Sequence, residues 1–464
     1  MPNEMILFTF SNKTSYRLLS RVARKSLLAG YSVAFFYSGE DRDFLSSIQQ
    51  DAAKIGAVCL TIDESSEGFG KIAFRLRRTV RQFLLHLALV LSGLGANNTR
   101  VAVARRVRAY AELLLSADIS SVICSEDGVS GDIVLISVAR SLGVRVIDVP
   151  YGNGTGLELE IDLARKSVEG RLILATGIEW TVMKLFAPQW LKKQRFAGAV
   201  MFEVPIILAY ESVGVSLRDS WIIHGGLSHF LCVESLSSRR QYVREGIPEK
   251  KMVLTGSPYC DLMYDVIEKN LHAREAFRKP KKIETKKTRI LVSWPPSYHD
   301  TYPGTNEFET YESMTRATVS FLQSLASVDL TISLHPACGE YVSELMRELG
   351  VEITDEYVID LIPLNDIFVT CFSSTIRWAI AAGKVVVNYD AYCLELPTYS
   401  DLPGVTSHKR FDDFKRRLQA LTSSEELLIA AMHAQIKVSE DWGVVDGRAT
   451  ERILNTLNNP KNMV

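Results

Sequence analysis

The sequence has no surplus of charge of either sign, no paired cysteines and no long apolar run, and each absence removes a class of function. Lys and Arg number 53 against 54 Asp and Glu. A nucleic-acid binder ordinarily carries a basic surplus, so that class is set aside. The cysteines at 59, 124, 232, 260, 338, 371 and 393 are odd in number and contain no Cys-x-x-Cys spacing. Several sit in apolar, strand-like runs such as Val122-Ile123-Cys124, which reads as buried reduced thiols rather than disulfides or zinc ligands. The longest apolar stretch, 83–91, falls well short of the roughly 18 to 20 residues a spanning helix needs. Residues 5–10 read as a first strand rather than a signal peptide, which places the protein in the cytoplasm. No His-Glu-x-x-His, P-loop lysine, solenoid repeat or low-complexity tract is present, so zinc protease, kinase and repeat readings have no support.

What is there is an alternation of strand-like and helix-like segments. At 464 residues, with 47% hydrophobic and 23% charged residues, the chain is long enough for two globular domains. Strands are expected at 5–10, 32–37, 58–62, 122–125, 144–149, 230–234 and 251–256, with helices at 14–29 and 133–142. This βαβα order implies α/β architecture: a parallel sheet with helices on both faces. Residues 155–225 break the rhythm and read as a mostly helical insertion. The lysine-rich segment 271–288 reads as a solvated linker. A second α/β unit follows, with strands at 289–294, 330–334, 367–371 and 385–389, helices near 312–327, 340–348 and 374–382, and a helical tail. The expected division is therefore 1–270, a linker at 271–288, and 289–464.

In an open parallel sheet, ligands bind beyond the carboxyl ends of the strands. Ser125-Glu126-Asp127-Gly128 follows one such strand: two carboxylates beside a glycine turn fit a general base, or equally an N-cap cluster for the next helix. His335-Pro336 follows another, where an imidazole aimed by a proline turn can donate to a phosphate, or can simply be a loop histidine. Ser373-Ser374-Thr375 follows a third and opens a helix. Hydroxyls at a helix N-terminus suit an anion, although one cap residue would satisfy the helix. No metal is expected at any of these positions.

Together, the carboxylate pair before glycine, the His-Pro and the Ser-Ser-Thr cluster resemble the bacterial glycosyltransferase-B enzymes that use CMP-activated sugars. These are the sialyltransferases and the nonulosonate or Kdo transferases of capsule polysaccharide and lipooligosaccharide synthesis. The resemblance covers the architecture and three short motifs, and the 155–225 insertion departs from compact members. It implies two Rossmann-like domains facing a cleft and inverting, metal-independent transfer from a CMP-sugar to a glycan or glycolipid acceptor. By the resemblance Asp127 is the base, supported by Glu126 and Gly128. His335, Pro336, Ser373, Ser374 and Thr375 hold the donor nucleotide, with His335 assisting departure of the phosphate. A UDP-sugar enzyme of the same fold, such as a UDP-N-acetylglucosamine 2-epimerase relative, is the alternative; against it, the helix after Ser373 lacks the ribose-gripping glutamate such enzymes usually carry. A polyol-phosphate transferase and a non-catalytic polysaccharide-assembly protein also remain.

Four other signals stand outside these motifs. Asp41-Arg42-Asp43 is either a metal–nucleotide motif or a helix cap. The glycines of Tyr151-Gly152-Asn153-Gly154-Thr155-Gly156, with no helix expected directly after them, read as a loop lining the cleft. His224-Gly225-Gly226 is a further acceptor contact. Finally, Lys71, Arg75, Arg77, Arg78 and Arg81 read as a basic helix running into the apolar stretch 83–91. Segment 71–95 is thus either a peripheral contact with the inner face of the cell membrane or a core helix with a charged start.

Overall fold

The computed structural model describes residues 4–62, 74–92, 96–152, 156–279, 287–371, 373–395, 399 and 402–457. The chain forms two compact units. The first comprises residues 1–233, 239–254 and 451–464, the second 234–238 and 255–450.

Seven parallel strands form the sheet of the first unit: β1 (Met5–Phe10), β2 (Ser32–Tyr37), β3 (Val58–Leu60), β4 (Ile119–Cys124), β5 (Arg145–Asp148), β6 (Phe230–Val233) and β7 (Met252–Leu254). Their order is β3-β2-β1-β4-β5-β6-β7, so the winding reverses between β1 and β4. β1 and β6 are almost entirely buried, as expected of parallel strands covered on both faces. The second unit carries six: β8 (Thr288–Trp294), β9 (Val328–Leu334), β10 (Ile353–Thr354), β11 (Ile367–Thr370), β12 (Val385–Tyr389) and β13 (Val405–His408). Their order, β10-β9-β8-β11-β12-β13, reverses between β8 and β11. Two Rossmann-like units of this kind are the architecture expected from the sequence. The seven cysteines form no disulfide, and Cys124, Cys232, Cys260 and Cys371 are buried.

Between β5 and β6 the chain forms the helices Gly156–Val168, Gly177–Phe186 and Val204–Val213. A buried carboxylate ties this insertion to the rest of its unit. Glu211 accepts from Gln82 Nε2 at 3.0 Å, Gln189 Nε2 at 2.7 Å, Trp190 Nε1 at 2.8 Å and Ser216 Oγ at 2.8 Å. Burial raises its pKa, against the pull of those donors. Trp190 itself is fully buried.

Four sequence expectations change. Residues 271–276, assigned to a linker, form the helix Leu271–Ala276, because the Asn270 side chain caps it by accepting from Ala273 N at 3.0 Å; Pro280 to Lys286 lie outside the described residues. The helices at 258–276 belong to the second unit, whereas residues from 451 onward belong to the first. There Ile453 and Leu457 are buried, and Arg145 donates to the Leu457 carbonyl. The expected basic helix is not one: residues 74–79 are non-helical and the helix begins at Val80, while Lys71 lies outside the described residues. The glycine loop does lead directly into a helix, Gly156–Val168, with 153–155 outside the described residues. Asp41 caps the helix Arg42–Ile55, accepting from Phe44 N at 2.9 Å.

Candidate functional site

β4 ends at Cys124 and delivers Ser125-Glu126-Asp127-Gly128 to the carboxyl edge of the first sheet. Asp127 is fully buried. Its carboxylate accepts from Gly226 N at 3.1 Å, from Ser228 N at 2.8 Å and from Lys251 Nζ at 2.8 Å. Burial alone would raise its pKa, but the Lys251 ammonium and the Ser228 hydrogen bonds more than offset that and lower it. A carboxylate so engaged holds the 222–228 loop against β4 and has no solvent-facing oxygen to offer a substrate. The expectation of Asp127 as base is therefore at odds with its surroundings. Gly128 and Gly226 serve the same packing. A Cβ at Gly128 would lie 2.6 Å from the Ile223 carbonyl oxygen, and one at Gly226 would lie 2.1 Å from that of Asp127. Close approach of two loops, rather than turn flexibility, explains both glycines.

One strand over, β5 ends at the fully buried Asp148. His224 Nδ1 lies 3.0 Å from Asp148 Oδ2, and its Nε2 lies 3.3 Å from the Gly152 carbonyl oxygen. With Asp148 ionised both partners accept only, so both ring nitrogens donate and the ring is then an imidazolium. Burial works against that charge, but Asp148, Glu126 and Asp127 outweigh it and raise the His224 pKa to about 9. Burial pushes Asp148 up to about 7, opposed by His224, so above that pH the two form an ion pair. Rather than an acceptor contact, His224 is a clamp between β5 and the chain beyond it. Sequence reading did not single out Asp148 or Lys251. The available signals were an aspartate closing an apolar strand and a lysine opening another.

Glu126 differs from both aspartates. It is 9% exposed, its partner is the Tyr151 side chain, and its pKa is raised, by burial first, with His224 and Tyr151 acting against. Beside this cluster, the carboxyl ends of β1 to β4 enclose a cavity of about 570 Å³, within the roughly 300–1,000 Å³ of small-molecule sites. Ser11, Ser38, Glu40, Arg106, Tyr110, Ser130 and Asp132 supply polar groups to its wall. Asp132 caps the helix Ile133–Ser141 through Leu135 N at 3.0 Å and accepts from the Tyr110 hydroxyl.

On the second unit, His335 follows β9, exposed, with Nδ1 accepting from Ala337 N at 3.1 Å. That bond leaves the proton on Nε2, and partial burial lowers its pKa, so it is a neutral donor at pH 7. Ser373 and Thr375 follow β11, their hydroxyls 2.6 Å apart, with Thr375 N donating to Ser373 Oγ at 3.2 Å. Ser374 is exposed beside them. The helix they open, Ile376–Ala381, has six residues and receives no side-chain cap bond. β9 and β11 are not neighbours, because β8 lies between them. The two groups thus leave the same carboxyl edge two strands apart. Under that edge lies a network that sequence reading did not find. Trp294 Nε1 donates to the Tyr311 hydroxyl at 2.8 Å, Tyr311 donates to the Pro295 carbonyl at 2.7 Å, and the Tyr392 hydroxyl meets His299 Nδ1 at 3.0 Å.

No protein-family model matches the sequence, and no curated protein matches it. Solved structures do share the fold. The UDP-GlcNAc 2-epimerase from Neisseria meningitidis bound to UDP-GlcNAc aligns over 98% of this chain and 99% of its own, with TM-score 0.55 and 12% identity. The S. aureus MnaA–UDP co-structure aligns over 99% and 98%, with TM-score 0.51 and 13% identity. The wall teichoic acid polymerase TagF, soaked with CDPG, aligns over 99% and 88%, with TM-score 0.50 and 11% identity. At these identities the likeness is one of fold, and the fold is the two-unit Rossmann-like architecture of the glycosyltransferase-B type.

Proposed function

We propose that the chain is a glycosyltransferase using a nucleotide-activated sugar, with groups suited to a donor phosphate on the second unit and a carboxylate suited to an acceptor hydroxyl on the first. The observation that carries the reading is the pair of neutral donor groups on one sheet edge, the His335 Nε2–H and the Ser373–Thr375 hydroxyls. Donors set at one sheet edge can meet a phosphate without reorganising as charge develops. Pro336 and Ser374 complete that edge.

For the base we assign Glu126 in place of Asp127. Its carboxyl group is not consumed by a lysine, and its raised pKa brings it nearer the working pH. The acceptor O–H proton passes to Glu126 and the acceptor oxygen bonds the anomeric carbon. The bond from that carbon to the phosphate oxygen breaks, and its electron pair leaves on the nucleotide. Attack opposite the leaving group inverts the centre. Within this reading the donor is a CMP-activated nonulosonic-type sugar, sialic acid-like or Kdo, and the acceptor a surface glycan or glycolipid, with no metal taking part.

A UDP-sugar enzyme is the second reading, favoured by the UDP and UDP-GlcNAc named in two of the structures that share the fold. Thermal melts with CMP, UDP and CDP-glycerol separate the two. A CMP-selective rise supports the first reading and a UDP-selective rise the second. If no nucleotide raises the melting temperature, both fail and a non-catalytic assembly role stands.

A further inference from the structure

A second cavity in the first unit, of about 180 Å³, lies away from the sheet edge. Its walls come from residues 74–78, the helix Val80–Ser92, the helix Ala96–Ser116 and Val213. Arg75, Arg78, Arg100, Arg108 and His86 line it, and no Asp or Glu does among the described residues. Arg78 donates to the Ser212 carbonyl at 3.0 Å and Arg100 to Asn97 Oδ1 at 3.0 Å. Both are neutral acceptors, and neither cation meets a carboxylate among the described residues. Arg75 and Arg108 have no hydrogen-bond or ion-pair partner among the described residues and are exposed. His86 Nδ1 is buried and has no hydrogen-bond partner among the described residues. Burial, followed by Arg78, Arg100 and Arg75, lowers its pKa. Converging cations left uncompensated, beside an orphaned imidazole nitrogen, are an arrangement that lacks an anion.

The same helix supplies a second observation. At 100° per residue, Leu85 and Leu89 face the core and are buried, while Val80, Phe83, Leu84 and Leu87 point the opposite way and are exposed. Phe83 and Leu84 are 48% and 52% exposed, and the Arg78 guanidinium lies over the Phe83 ring, 5.9 Å from its centroid. His86 falls between the two faces, so the cationic cavity opens beside the exposed apolar strip. A volume of 180 Å³ is below that of clefts enclosing a whole nucleotide-sized ligand and suits a headgroup.

We infer that this cavity binds the phosphate of a membrane lipid, the four arginines taking the headgroup while Phe83, Leu84 and Leu87 enter the interface. Charge and apolar surface side by side are what an anionic bilayer complements. The structural element is a short surface helix, since no helix among the described residues is long and apolar enough to cross a membrane. The inference is independent of the transferase reading.

The test is sedimentation of the full chain with phosphatidylcholine vesicles, with and without phosphatidic acid. Wild type should sediment only with phosphatidic acid. Arg75→Gln with Arg108→Gln removes two cations without protein partners and should weaken binding about tenfold or more. Phe83→Ser with Leu87→Ser, both at exposed positions, should do the same. Lys54→Gln with Lys184→Gln, an equal charge change elsewhere on the unit, should leave binding unaltered. The His86 imidazole pKa, followed by NMR, should rise when a soluble short-chain phosphatidate is added. Equal loss of binding in both charge-changed proteins reduces the effect to net charge and overturns the cavity. Tight calorimetric binding of inorganic phosphate with no vesicle sedimentation overturns the lipid in favour of a free anion. An unmoved His86 pKa, with vesicle binding intact, places the lipid elsewhere.

Discussion

The two carboxyl edges use polar residues in opposite ways. On the first sheet, the charges at the ends of β4 and β5 are buried and paired, Asp127 with Lys251 and Asp148 with His224. On the second, His335 is neutral and exposed, and Ser373 and Thr375 bond mainly to each other. A charge withdrawn from water must be matched by a partner, and once matched it holds the fold rather than a substrate. A neutral donor left at the surface costs little to keep there and is free for a ligand. Position at a strand end therefore nominates a residue, and burial with its partners decides its role.

The largest break in this contrast should come from Asp127→Asn. A base that made no contacts of its own would lose turnover on this change and spare the fold. The structure leads to the reverse: Lys251 would be left buried and unpaired, at a cost of about 3–5 kcal/mol, read in a urea melt. Asp127→Asn that melts like wild type, yet has lost transfer, would restore it as the base. Glu126→Gln should keep wild-type stability while lowering turnover about 10²- to 10⁴-fold in a transfer assay. If turnover is unchanged, the base lies elsewhere.

A pH effect comes next. The folded His224 pKa, about 9, lies above the ordinary value of 6.5 for the unfolded chain. The native state thus keeps a proton that the unfolded state has lost, and stability falls as pH rises from about 6.5 to about 9. His224→Gln should flatten that decline in a series of thermal melts. A decline that persists in His224→Gln would assign the titration to another group.

The smallest effect belongs to the second edge. His335→Ala and the double change Ser373→Ala, Thr375→Ala each remove hydrogen bonds worth about 1 kcal/mol, so nucleotide affinity should fall about fivefold in calorimetry while melting in the absence of ligand stays within about 0.5 kcal/mol of wild type. Unchanged affinity in both would empty this edge of its proposed role.

Much of the architecture was legible because strands and caps are local. β1 and β2 match their expected bounds, since each is an uninterrupted apolar run beginning after a polar or glycine turn. Asp41 was readable as a cap because its acceptor and Phe44 N are three residues apart. The helix Ala96–Ser116 went unread although Val103, Val107, Tyr110 and Leu114 recur at helical spacing, because Asn97, Asn98 and the arginines on its other faces dilute the apolar signal of the segment. Nor was the helix at 271–276, whose lysine-rich continuation resembles a linker.

The site divides along the same line. The sequence by itself determined which residues stand at strand ends, because apolar periodicity and glycine turns act over a few positions. Only the tertiary structure decided what those residues face. Asp127 meets Lys251 across 124 residues, and His224 meets Asp148 across 76. The charge state and availability of a buried group depend on such distant partners and on the exclusion of water, neither of which is written near the residue itself.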